Sequence, residues 1–411
     1  MLLYNLAVRS YGLAIRTAAL SKTKASQWVE GRKNWENRLR DQLSSWDAQS
    51  RIWVHCASYG EFEQGRPVIE ALKKKYPGHK LLLSFFSPSG YESFYNWEGA
   101  DAVCYLPLDT KKNAATFIEI VSPSAVLFIK YEFWLNYLNL IRKKKIPCYL
   151  VSAVFKLHHP FFKWYGAIFR RSLRTFSLLF IQDEQSGNLL KKINITNFEV
   201  CGDTRFDRVL QIRDQLQPIH EIGSFKGDAQ LIIAGSTWPD DEDLVIDAFK
   251  RIRNNRLKLL LVPHDIDKKY IQQTVEKLQG AALTYSLFTS GIQKHSEVLV
   301  LDTMGMLARS YHYADCAYIG GGFDGGLHNS LEAAVFGVPV TFFGNDYTKF
   351  NEAVELLALG AAENVKKSAD LAAAWQRFLD KEKKKSVAAT LGRYFEKNRD
   401  STARIISHIE L

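Results

Sequence analysis

Short apolar runs alternate with amphipathic segments along the first half of the chain. Segments such as RPVIEALKKKY and FWLNYLNLIRKKK carry apolar residues at the spacing of one helical face. The apolar runs between them have the length and composition of strands that are buried in a parallel sheet. These predicted strands are RIWVHCAS, KLLLSFF, AVLFIK, PCYLVSA and SLLFIQ. The pattern predicts a doubly wound α/β domain.

The alternation lapses around QLQPIHEIGSFKGDAQ, residues 215–230, and then restarts. The second series of predicted strands is QLIIAGS, LKLLLVP, EVLVLD, CAYIGGG and VPVTFF. Two β/α blocks of similar size predict two Rossmann-like domains that face each other across a cleft. We expect an N-terminal domain over residues 21–215, a linker over 216–230, and a C-terminal domain over 231–411 that ends in helices. A length of 411 residues also favours two domains.

The first 20 residues have the pattern of a basic amphipathic helix. On a helical projection Asn5, Arg9 and Arg16 fall on one stripe, and apolar residues lie opposite. The segment is too short and too charged for a spanning helix, and it lacks the cleavage site of a signal peptide. It predicts a helix that lies in a membrane interface or, alternatively, one that is docked on the domain.

Charge and cysteine usage narrow the class of partner. The net charge of +10 favours an anionic partner, which is a nucleic acid, a phosphorylated ligand or a membrane surface. The five cysteines are scattered without a CxxC pair, which argues against a zinc site or a disulfide framework. No early βαβ unit carries a GxGxxG dinucleotide fingerprint with a following acidic residue, and the sequence lacks the P-loop, GxSxG and HExxH motifs. We therefore expect neither a metal nor a cofactor.

Polar clusters follow several predicted strands, and ligands of doubly wound sheets gather at these strand ends. The clusters are HCASYGE with Glu61, AGSTW with Ser236 and Thr237, VPHD with His264, DTMGM, and HNSLE with Asn329 and Glu332. Each has a simpler explanation. A carboxylate at position 61 can stabilise a helix start, hydroxyls and Asn-x-x-Glu can cap helices, and a lone histidine is most often structural. The convergence of all the clusters at strand ends favours a nucleotide and anion site.

The stretch GGGFDGGLHNSLEAAVFGVPV, residues 320–340, places five glycines within seven positions. Such density predicts either a loose turn or a close approach of the backbone to a ligand. A second unusual segment, residues 154–176, interleaves aromatic residues with Lys163, Arg170, Arg171 and Arg174. This mixture predicts a surface for a phosphorylated glycolipid and membrane headgroups rather than for nucleic acid. A buried aromatic core edged by arginines is the alternative.

Taken in order, the motifs resemble those of the 3-deoxy-D-manno-octulosonic acid (Kdo) transferases of lipopolysaccharide assembly. The resemblance rests on WVHCASYGE, SFFSPSGYE, KYEFWLN, CGDTRFD, AGSTW, LVPHD, DTMGML, the glycine-rich stretch and FNEAVELL. It implies a GT-B glycosyltransferase fold, CMP-Kdo bound by the C-terminal domain and a lipid A precursor bound by the N-terminal domain. It further implies an inverting transfer without a required metal. The expected location is the cytoplasmic face of the inner membrane, with peripheral attachment or a single N-terminal anchor.

The resemblance assigns roles to individual positions. Glu61 matches the general base of the family, and Glu132 and Arg205 match positions at its reacting centre. The expected donor site comprises Ser236, Thr237, Pro263, His264, Met304, Gly305, Met306, Gly321, Gly322, Asn329, Ser330, Leu331 and Glu332. This chain departs from the usual pattern at Lys130, Arg205, His264, Met306, Ser330 and Ala333. Relatives usually have Glu, Lys, Arg, Glu, Pro and Pro at these positions, so the departures concern mainly the CMP contacts.

Two other functions are compatible with the same residues. One is a GT-B glycosyltransferase that uses another nucleotide-sugar donor, such as a UDP-sugar. The other is a membrane protein that binds a nucleotide sugar without catalysis, although retention of Glu61 argues against it. Competition between CMP and UDP tests the first alternative, and CMP release tests the second.

Overall fold

The computed structural model describes residues 1–46, 49–323 and 326–411, and the chain divides into two compact units. Unit 1 comprises Met1–Arg208 together with Asn398–Leu411, and unit 2 comprises Val209–Lys397. Each unit contains one parallel sheet with helices, so the predicted α/β class is confirmed.

Unit 1 is built on a seven-stranded sheet in the order β3-β2-β1-β4-β5-β6-β7. The strands are β1 (Arg51–Cys56), β2 (Lys80–Phe85), β3 (Ala102–Tyr105), β4 (Ala125–Ile129), β5 (Cys148–Ala153), β6 (Leu178–Ile181) and β7 (Phe198–Val200). The central strand β1 pairs in parallel with β2 on one side and with β4 on the other. Strand order reverses at this point, where the carboxyl ends of a doubly wound sheet leave room for a ligand.

Helices cover both faces of this sheet. They are α1 (Leu2–Ala18), α2 (Thr23–Glu30), α3 (Trp35–Leu43), α4 (Tyr59–Lys75), α5 (Pro88–Phe94), α6 (Lys111–Val121), α7 (Leu135–Lys143), α8 (Ala167–Leu173) and α9 (Glu184–Lys191). Successive strand residues point to opposite faces, so Trp53 packs into one core cluster and Val54 into the other. Burial on both sides explains why these strands appear in the sequence as unbroken apolar runs.

Unit 2 repeats the arrangement with a sheet in the order β10-β11-β9-β8-β12-β13-β14. The strands are β8 (Gln230–Thr237), β9 (Leu257–Pro263), β10 (Tyr285–Leu287), β11 (Val298–Val300), β12 (Cys316–Ile319), β13 (Val340–Phe343) and β14 (Ala362–Val365). The helices are α11 (His220–Lys226), α12 (Pro239–Ile252), α13 (Lys268–Gly280), α14 (Leu307–Ser310), α15 (Leu331–Ala334), α16 (Asn351–Ala358) and α17 (Ser368–Phe378). Strand β8 lies between β9 and β12, so its carboxyl end is the corresponding switch point.

The division of the chain differs from the predicted boundaries at three places. The units separate within α10 (Thr204–Asp214), and the expected linker over 216–230 contains α11. At the other end, the units separate where α18 (Lys381–Asn398) finishes, and α19 (Ser401–Ser407) belongs to unit 1. Ile405 and Ile409 are buried in the unit 1 core. The periodicity of a short amphipathic segment shows that one of its faces is apolar. It does not show which unit that face packs against.

The N-terminal segment forms the predicted helix, α1. Within the described residues, no helix combines the length and apolar character that crossing a membrane requires. The helix packs on unit 1 through Tyr4, Asn5, Val8 and Gly12, whereas Leu2, Leu3, Leu6 and Leu13 are exposed. Asn5, predicted on the polar stripe, points inward, where its Oδ1 accepts a hydrogen bond from Asn136 Nδ2 at 3.0 Å.

Candidate active site

Glu61 lies in the first turn of α4, directly after the carboxyl end of β1. Ser58 precedes this helix in an extended conformation, and its hydroxyl donates a hydrogen bond to Glu61 Oε2. The positive end of the helix dipole favours a carboxylate at this position. Glu61 is partly exposed. The carboxylate is thus held at the strand end while remaining accessible.

Glu132 follows the neighbouring strand β4 and is 9% exposed. Two nitrogens converge on its Oε2 atom. Trp134 Nε1 donates to it at 2.5 Å, and His55 Nε2 lies 3.2 Å from it and 3.2 Å from Trp134 Nε1. Lys130, which joins β4 to this segment, has a φ of 70°. A lysine in the left-handed region costs conformational energy and persists only where the surroundings impose it. The backbone therefore turns sharply in front of Glu132.

The two carboxylates lie close enough to influence the same thiol. Burial raises the pKa of Cys56 well above its ordinary value, and the charges of Glu61 and Glu132 raise it further. Burial also raises the pKa of Tyr131 to about 12, with Arg205 opposing the shift and Glu61 adding to it. The structure therefore brings together the three predicted catalytic residues at one end of the unit 1 sheet.

Arg205 is held there by a network that ties the loop after β7 to α4. Its Nε and Nη2 atoms donate to Asp203 Oδ2 at 2.9 and 2.7 Å. Gln64 on α4 donates to Asp203 Oδ1 at 3.0 Å, and Thr204 Oγ1 donates to the carbonyl oxygen of Gln64. Burial acts to raise the pKa of Asp203, but the charge and hydrogen bonds of Arg205 outweigh it and hold the pKa below its ordinary value. Asp203 therefore remains charged and fixes the guanidinium group.

In unit 2, the predicted donor residues gather at the carboxyl ends of β8, β9 and β12. Ser236 has a φ of 54°, and the carbonyl oxygen of Thr237 accepts a hydrogen bond from His264 N at 2.9 Å. His264 stacks between two rings, with centroid distances of 4.4 Å to Trp238 and 4.7 Å to His328. Burial and His264 lower the pKa of His328 to about 4. The predicted pair Pro263–His264 thus lies beside Ser236 and Thr237.

The glycine cluster has a structural cause at three positions. A Cβ atom at Gly320 would lie 2.3 Å from the Ser236 carbonyl oxygen, and one at Gly322 would lie 1.7 Å from the Phe343 carbonyl oxygen. Gly321 has a φ of 92°, and its N–H donates to Asp241 Oδ2 at 2.9 Å. These glycines allow the backbone after β12 to pass between its neighbours. Residues 324 and 325 of the predicted motif lie outside the described residues.

Asn329 and Glu332 form a pair with each other at the start of α15. Asn329 Nδ2 donates to Glu332 Oε1 at 3.2 Å, and Asn329 Oδ1 accepts from Leu331 N at 3.2 Å. These contacts match the capping interpretation. Nearby, the buried atoms His328 Nε2 and Ser330 Oγ have no hydrogen-bond partner among the described residues. Buried polar atoms are normally paired, so this loop has capacity for polar contacts to a ligand.

The remaining predicted donor residues lie in the loop after β11. Met304 is exposed, Gly305 has a φ of 81°, and Met306 is partly buried immediately before α14. The side chain of Leu307, the next residue, packs against Gly235 near the end of β8. This loop therefore approaches the same edge of the unit 2 sheet.

The basic-aromatic segment is partly structural and partly exposed. Arg170 Nη1 donates to the carbonyl oxygens of Phe161 and Lys163 at 3.0 and 2.9 Å, so it braces the loop. Arg171 and Arg174 are exposed, and Lys163 is partly buried. Trp164, which the sequence analysis did not select, is 92% exposed at the loop tip. An isolated exposed tryptophan gives no sequence signal that separates it from a core tryptophan.

Several further site residues emerged only from the structure. His55 and Trp134 hold Glu132, and Asp241 fixes the glycine loop. Asp109 caps α7 by accepting hydrogen bonds from the backbone N–H groups of Asn136 and Tyr137 at 3.0 and 3.1 Å. His55 is contained in the motif WVHCASYGE, but its partner lies 77 residues further along the chain. No group of three or more potential metal ligands occurs among the described side chains.

Comparison with known proteins agrees with the arrangement of these motifs. The family model described as 3-deoxy-D-manno-octulosonic-acid transferase matches residues 33–208. The 3-deoxy-D-manno-octulosonic acid transferase of Aquifex aeolicus is 29% identical over 337 residues, covering 79% of this chain and 85% of the relative. The protein of that name from Chlamydophila psittaci is 26% identical, covering 75% of this chain and 73% of its own. The chain is thus similar to 3-deoxy-D-manno-octulosonic acid transferases over most of its length.

Similarity to solved structures shows that the protein has a GT-B-like fold. The UDP-GlcNAc 2-epimerase of Neisseria meningitidis matches with a TM-score of 0.61 at 15% identity, covering 87% of this chain and 98% of that protein. The corresponding epimerase of Methanocaldococcus jannaschii matches with a TM-score of 0.53 at 15% identity, with coverages of 87% and 98%. At such identity the likeness concerns the fold alone.

Proposed function

We propose that this protein transfers Kdo from CMP-Kdo to a lipid A precursor in lipopolysaccharide biosynthesis. The observation that carries the proposal is the convergence of Glu61, Glu132 and Arg205 at the carboxyl end of the unit 1 sheet. The similar proteins are named Kdo transferases, which supports Kdo as the transferred sugar, and the resemblance of the motifs suggests CMP-Kdo as donor and a lipid A precursor as acceptor. The proposed reaction inverts the anomeric configuration and requires no metal.

Glu61 acts as the general base in this proposal. A hydroxyl oxygen of the acceptor attacks the anomeric carbon of Kdo as its proton passes to the Glu61 carboxylate. The bond between that carbon and the phosphate oxygen of CMP breaks, and CMP leaves with the bonding electron pair. The hydrogen bond from Ser58 fixes one oxygen of Glu61. Attack opposite to the departing phosphate accounts for inversion.

Arg205 supplies positive charge where the reaction gathers negative charge. The phosphate of the leaving CMP and the carboxylate of Kdo are both anionic, and a fixed cation stabilises them. Asp203 holds the guanidinium group of Arg205 through two hydrogen bonds, so little reorganisation is needed during the reaction. Glu132 follows β4, the strand that pairs with β1, and is proposed to contact the acceptor or the reacting sugar.

Unit 2 is proposed to bind the CMP portion of the donor. Ser236 and Thr237 lie at the switch point of its sheet, where ligands of doubly wound folds bind. His328 Nε2 and Ser330 Oγ are buried without a hydrogen-bond partner among the described residues, so they can form polar contacts with a ligand in the same region. The proposed donor contacts also include the loop over 304–306 and the pair Asn329–Glu332.

An anionic membrane surface is the proposed source of the lipid acceptor. Helix α1 exposes Leu2, Leu6 and Leu13 along one face, and Trp164 projects from the basic-aromatic segment. Exposed leucines insert into acyl chains, and tryptophan together with basic residues favours the headgroup region. The net charge of +10 adds attraction to anionic lipids. These features support peripheral attachment to an anionic membrane, and the cytoplasmic face of the inner membrane is the proposed location.

Mass spectrometry of a defined lipid A precursor incubated with the full-length protein and CMP-Kdo tests the proposed reaction. We expect a product enlarged by one or more Kdo units, with CMP released in equal number. CMP release without a modified lipid would contradict the acceptor assignment. Absence of both products, with transfer from another nucleotide sugar, would contradict the donor assignment.

A further inference from the structure

We propose that His55 is a positioning residue that occupies one oxygen of Glu132 and leaves the other for substrate. This inference rests on the proposed function because it gives Glu132 a role in transfer. The relevant observation is a buried hydrogen-bonded chain that runs from Ser84 on β2 through His55 on β1 to Glu132 after β4.

The His55 ring is fixed on both sides. Its side chain is fully buried, and the strand register places it between Ser84 and Phe128 on the two neighbouring strands. His55 Nδ1 lies 3.1 Å from the carbonyl oxygen of Ser84 and 2.9 Å from Ser84 Oγ. Ser84 Oγ is itself held by Trp53 Nε1, which donates to it at 2.7 Å. The ring therefore presents Nε2 to Glu132 in one orientation.

The contact between His55 and Glu132 requires a proton. Nε2 lies 3.2 Å from Glu132 Oε2, and a carboxylate oxygen can only accept a hydrogen bond. The contact is attractive only when one proton lies between these two atoms. Without this proton, the hydrogen bond from Trp134 Nε1 would be the one that remains to Glu132 among the described residues.

Both nitrogens that approach Glu132 do so at the same oxygen, and they lie 3.2 Å from each other. Trp134 Nε1 and His55 Nε2 converge on Oε2, while no donor to Oε1 occurs among the described residues. The Glu132 side chain is 11% exposed, so it reaches the surface of the site only at its tip. When hydrogen bonds fix one oxygen of a carboxylate, the direction of the other oxygen is also defined. The arrangement fits a group that must point at a sugar hydroxyl or at the reacting carbon.

The competing explanation is that His55 is a core residue that merely fills space. Its ring does contact aromatic neighbours, with centroid distances of 5.8 Å to Phe128 and 6.5 Å to Trp53. A packing role predicts that substitutions at His55 lower stability and change activity independently of Glu132. A positioning role predicts that their effect on turnover depends on the presence of the Glu132 carboxylate.

Two substitutions at His55 distinguish the contribution of Nε2 from that of Nδ1. In His55→Gln the amide nitrogen reaches the position of Nε2 and can donate to Glu132, whereas in His55→Asn it reaches only as far as Nδ1. We expect His55→Asn to lower turnover about 10- to 100-fold, the range of strong pairwise coupling, and His55→Gln to retain most of it. Donor KM should stay within about twofold in both. His79→Asn, a histidine substitution outside this chain of contacts, should leave turnover unchanged.

A double-mutant cycle with Glu132→Gln provides the decisive comparison. If His55 acts through Glu132, adding His55→Asn to Glu132→Gln should cost little further turnover. Full additivity of the two effects, or equal losses in the Asn and Gln variants in step with their melting temperatures, would overturn the proposal in favour of core packing.

A spectroscopic measurement on histidine-labelled protein covers the cases in which the His55 variants do not fold or the donor is a different nucleotide sugar. The ¹⁵N resonance of His55 Nε2 should shift on Glu132→Gln, whereas that of His79 should not. An unchanged His55 resonance overturns the pairing. A shifted resonance together with no transfer from CMP-Kdo contradicts the proposed function but retains the His55–Glu132 pair.

Discussion

At the scale of single residues, Glu61 has a structural role at the start of α4 and a proposed chemical role as the general base. Its position in the first turn of α4 stabilises the helix, and its place at the strand end suits a general base. The two roles differ greatly in magnitude. A charge at a helix start contributes about 0.3–1 kcal/mol to stability, whereas general base catalysis contributes about 10²- to 10⁴-fold in rate.

Substitution Glu61→Gln should therefore lower single-turnover Kdo transfer by about 10²- to 10⁴-fold, because the amide cannot accept the hydroxyl proton. CMP binding should persist, since the proposed CMP site lies in unit 2. Quenched-flow transfer assays, calorimetric CMP titration and thermal melting give the three quantities. A variant that melts lower yet transfers at the wild-type rate would end the catalytic assignment.

Asn329 and Glu332 use the same atoms for capping α15 that they would use to hold a nucleotide. We expect Asn329→Ala and Glu332→Ala to weaken CMP binding about 5- to 100-fold, because a lost partner leaves buried polar groups unsatisfied at a cost of about 1–3 kcal/mol. Isothermal titration with CMP measures the change.

Asn254→Ala is a matched control for this prediction. Asn254 Oδ1 accepts from the backbone N–H of Arg256 at 2.9 Å in an exposed turn of the same unit, so its loss removes a similar local contact away from the site. Wild-type CMP affinity in folded Asn329 and Glu332 variants would assign the pair to capping alone.

At the scale of elements, α1 exposes leucines on one side and contacts, through Tyr4, the segment that carries Glu132. Tyr4 donates to Asp109 Oδ2 at 2.5 Å and accepts from Leu135 N at 3.3 Å, immediately beyond Trp134. Burial raises the pKa of Asp109 to about 6, against the lowering effect of the hydrogen bonds from Tyr4 and from the start of α7. Helix α1 is thus part of the support of the site as well as a candidate membrane contact.

Deletion of residues 1–20 should move the protein from the membrane pellet to the supernatant while CMP binding persists, because the exposed leucines are lost. Transfer should also slow, since Asp109 and Leu135 lose Tyr4. Sedimentation with anionic vesicles, CMP titration and transfer assays follow the three properties.

Tyr4→Phe separates the two effects of that deletion. The variant keeps the leucines, so it should pellet with vesicles as the intact protein does but transfer more slowly. A truncated protein that pellets as fully as the intact one would exclude α1 as the membrane contact. If Tyr4→Phe transferred Kdo at the wild-type rate, the hydrogen bonds of Tyr4 would have no effect on Glu132.

At the scale of the whole molecule, the fold alone does not determine which nucleotide a protein binds. The solved structures that share the architecture include an epimerase bound to UDP-GlcNAc, whereas the motifs favour a CMP donor. We therefore expect the donor class to depend on side chains at the strand ends of unit 2, such as His264 and Ser330, rather than on sheet order.

CMP should compete with the donor, and UDP at the same concentration should not, because the two bases present different hydrogen-bonding edges to the site. Inhibition of Kdo transfer over a range of each nucleotide measures the preference, with AMP as a control for general anion binding. Stronger inhibition by UDP than by CMP would favour the alternative donor.

The sequence by itself determined the fold class, the strands and the main candidate positions. Runs such as those of β1 and β4 are unbroken because both faces of each sheet are covered, and this leaves a clear signal in the chain. Glu61 was also identifiable because it follows a strand, and ligands of doubly wound sheets gather at the carboxyl ends of strands, whereas Glu132 was selected through the resemblance of its motif.

Only the tertiary structure decided contacts between residues far apart in the chain. The pairing of His55 with Glu132, the docking of Tyr4 on Asp109 and the return of α19 to unit 1 join segments separated by 77 residues or more. The same holds for the glycines at 320–322, whose need arises from carbonyl oxygens of Ser236, Gly326 and Phe343. Periodicity records which face of an element is apolar, but it does not record which partner that face will meet, because many partners bury apolar area equally well.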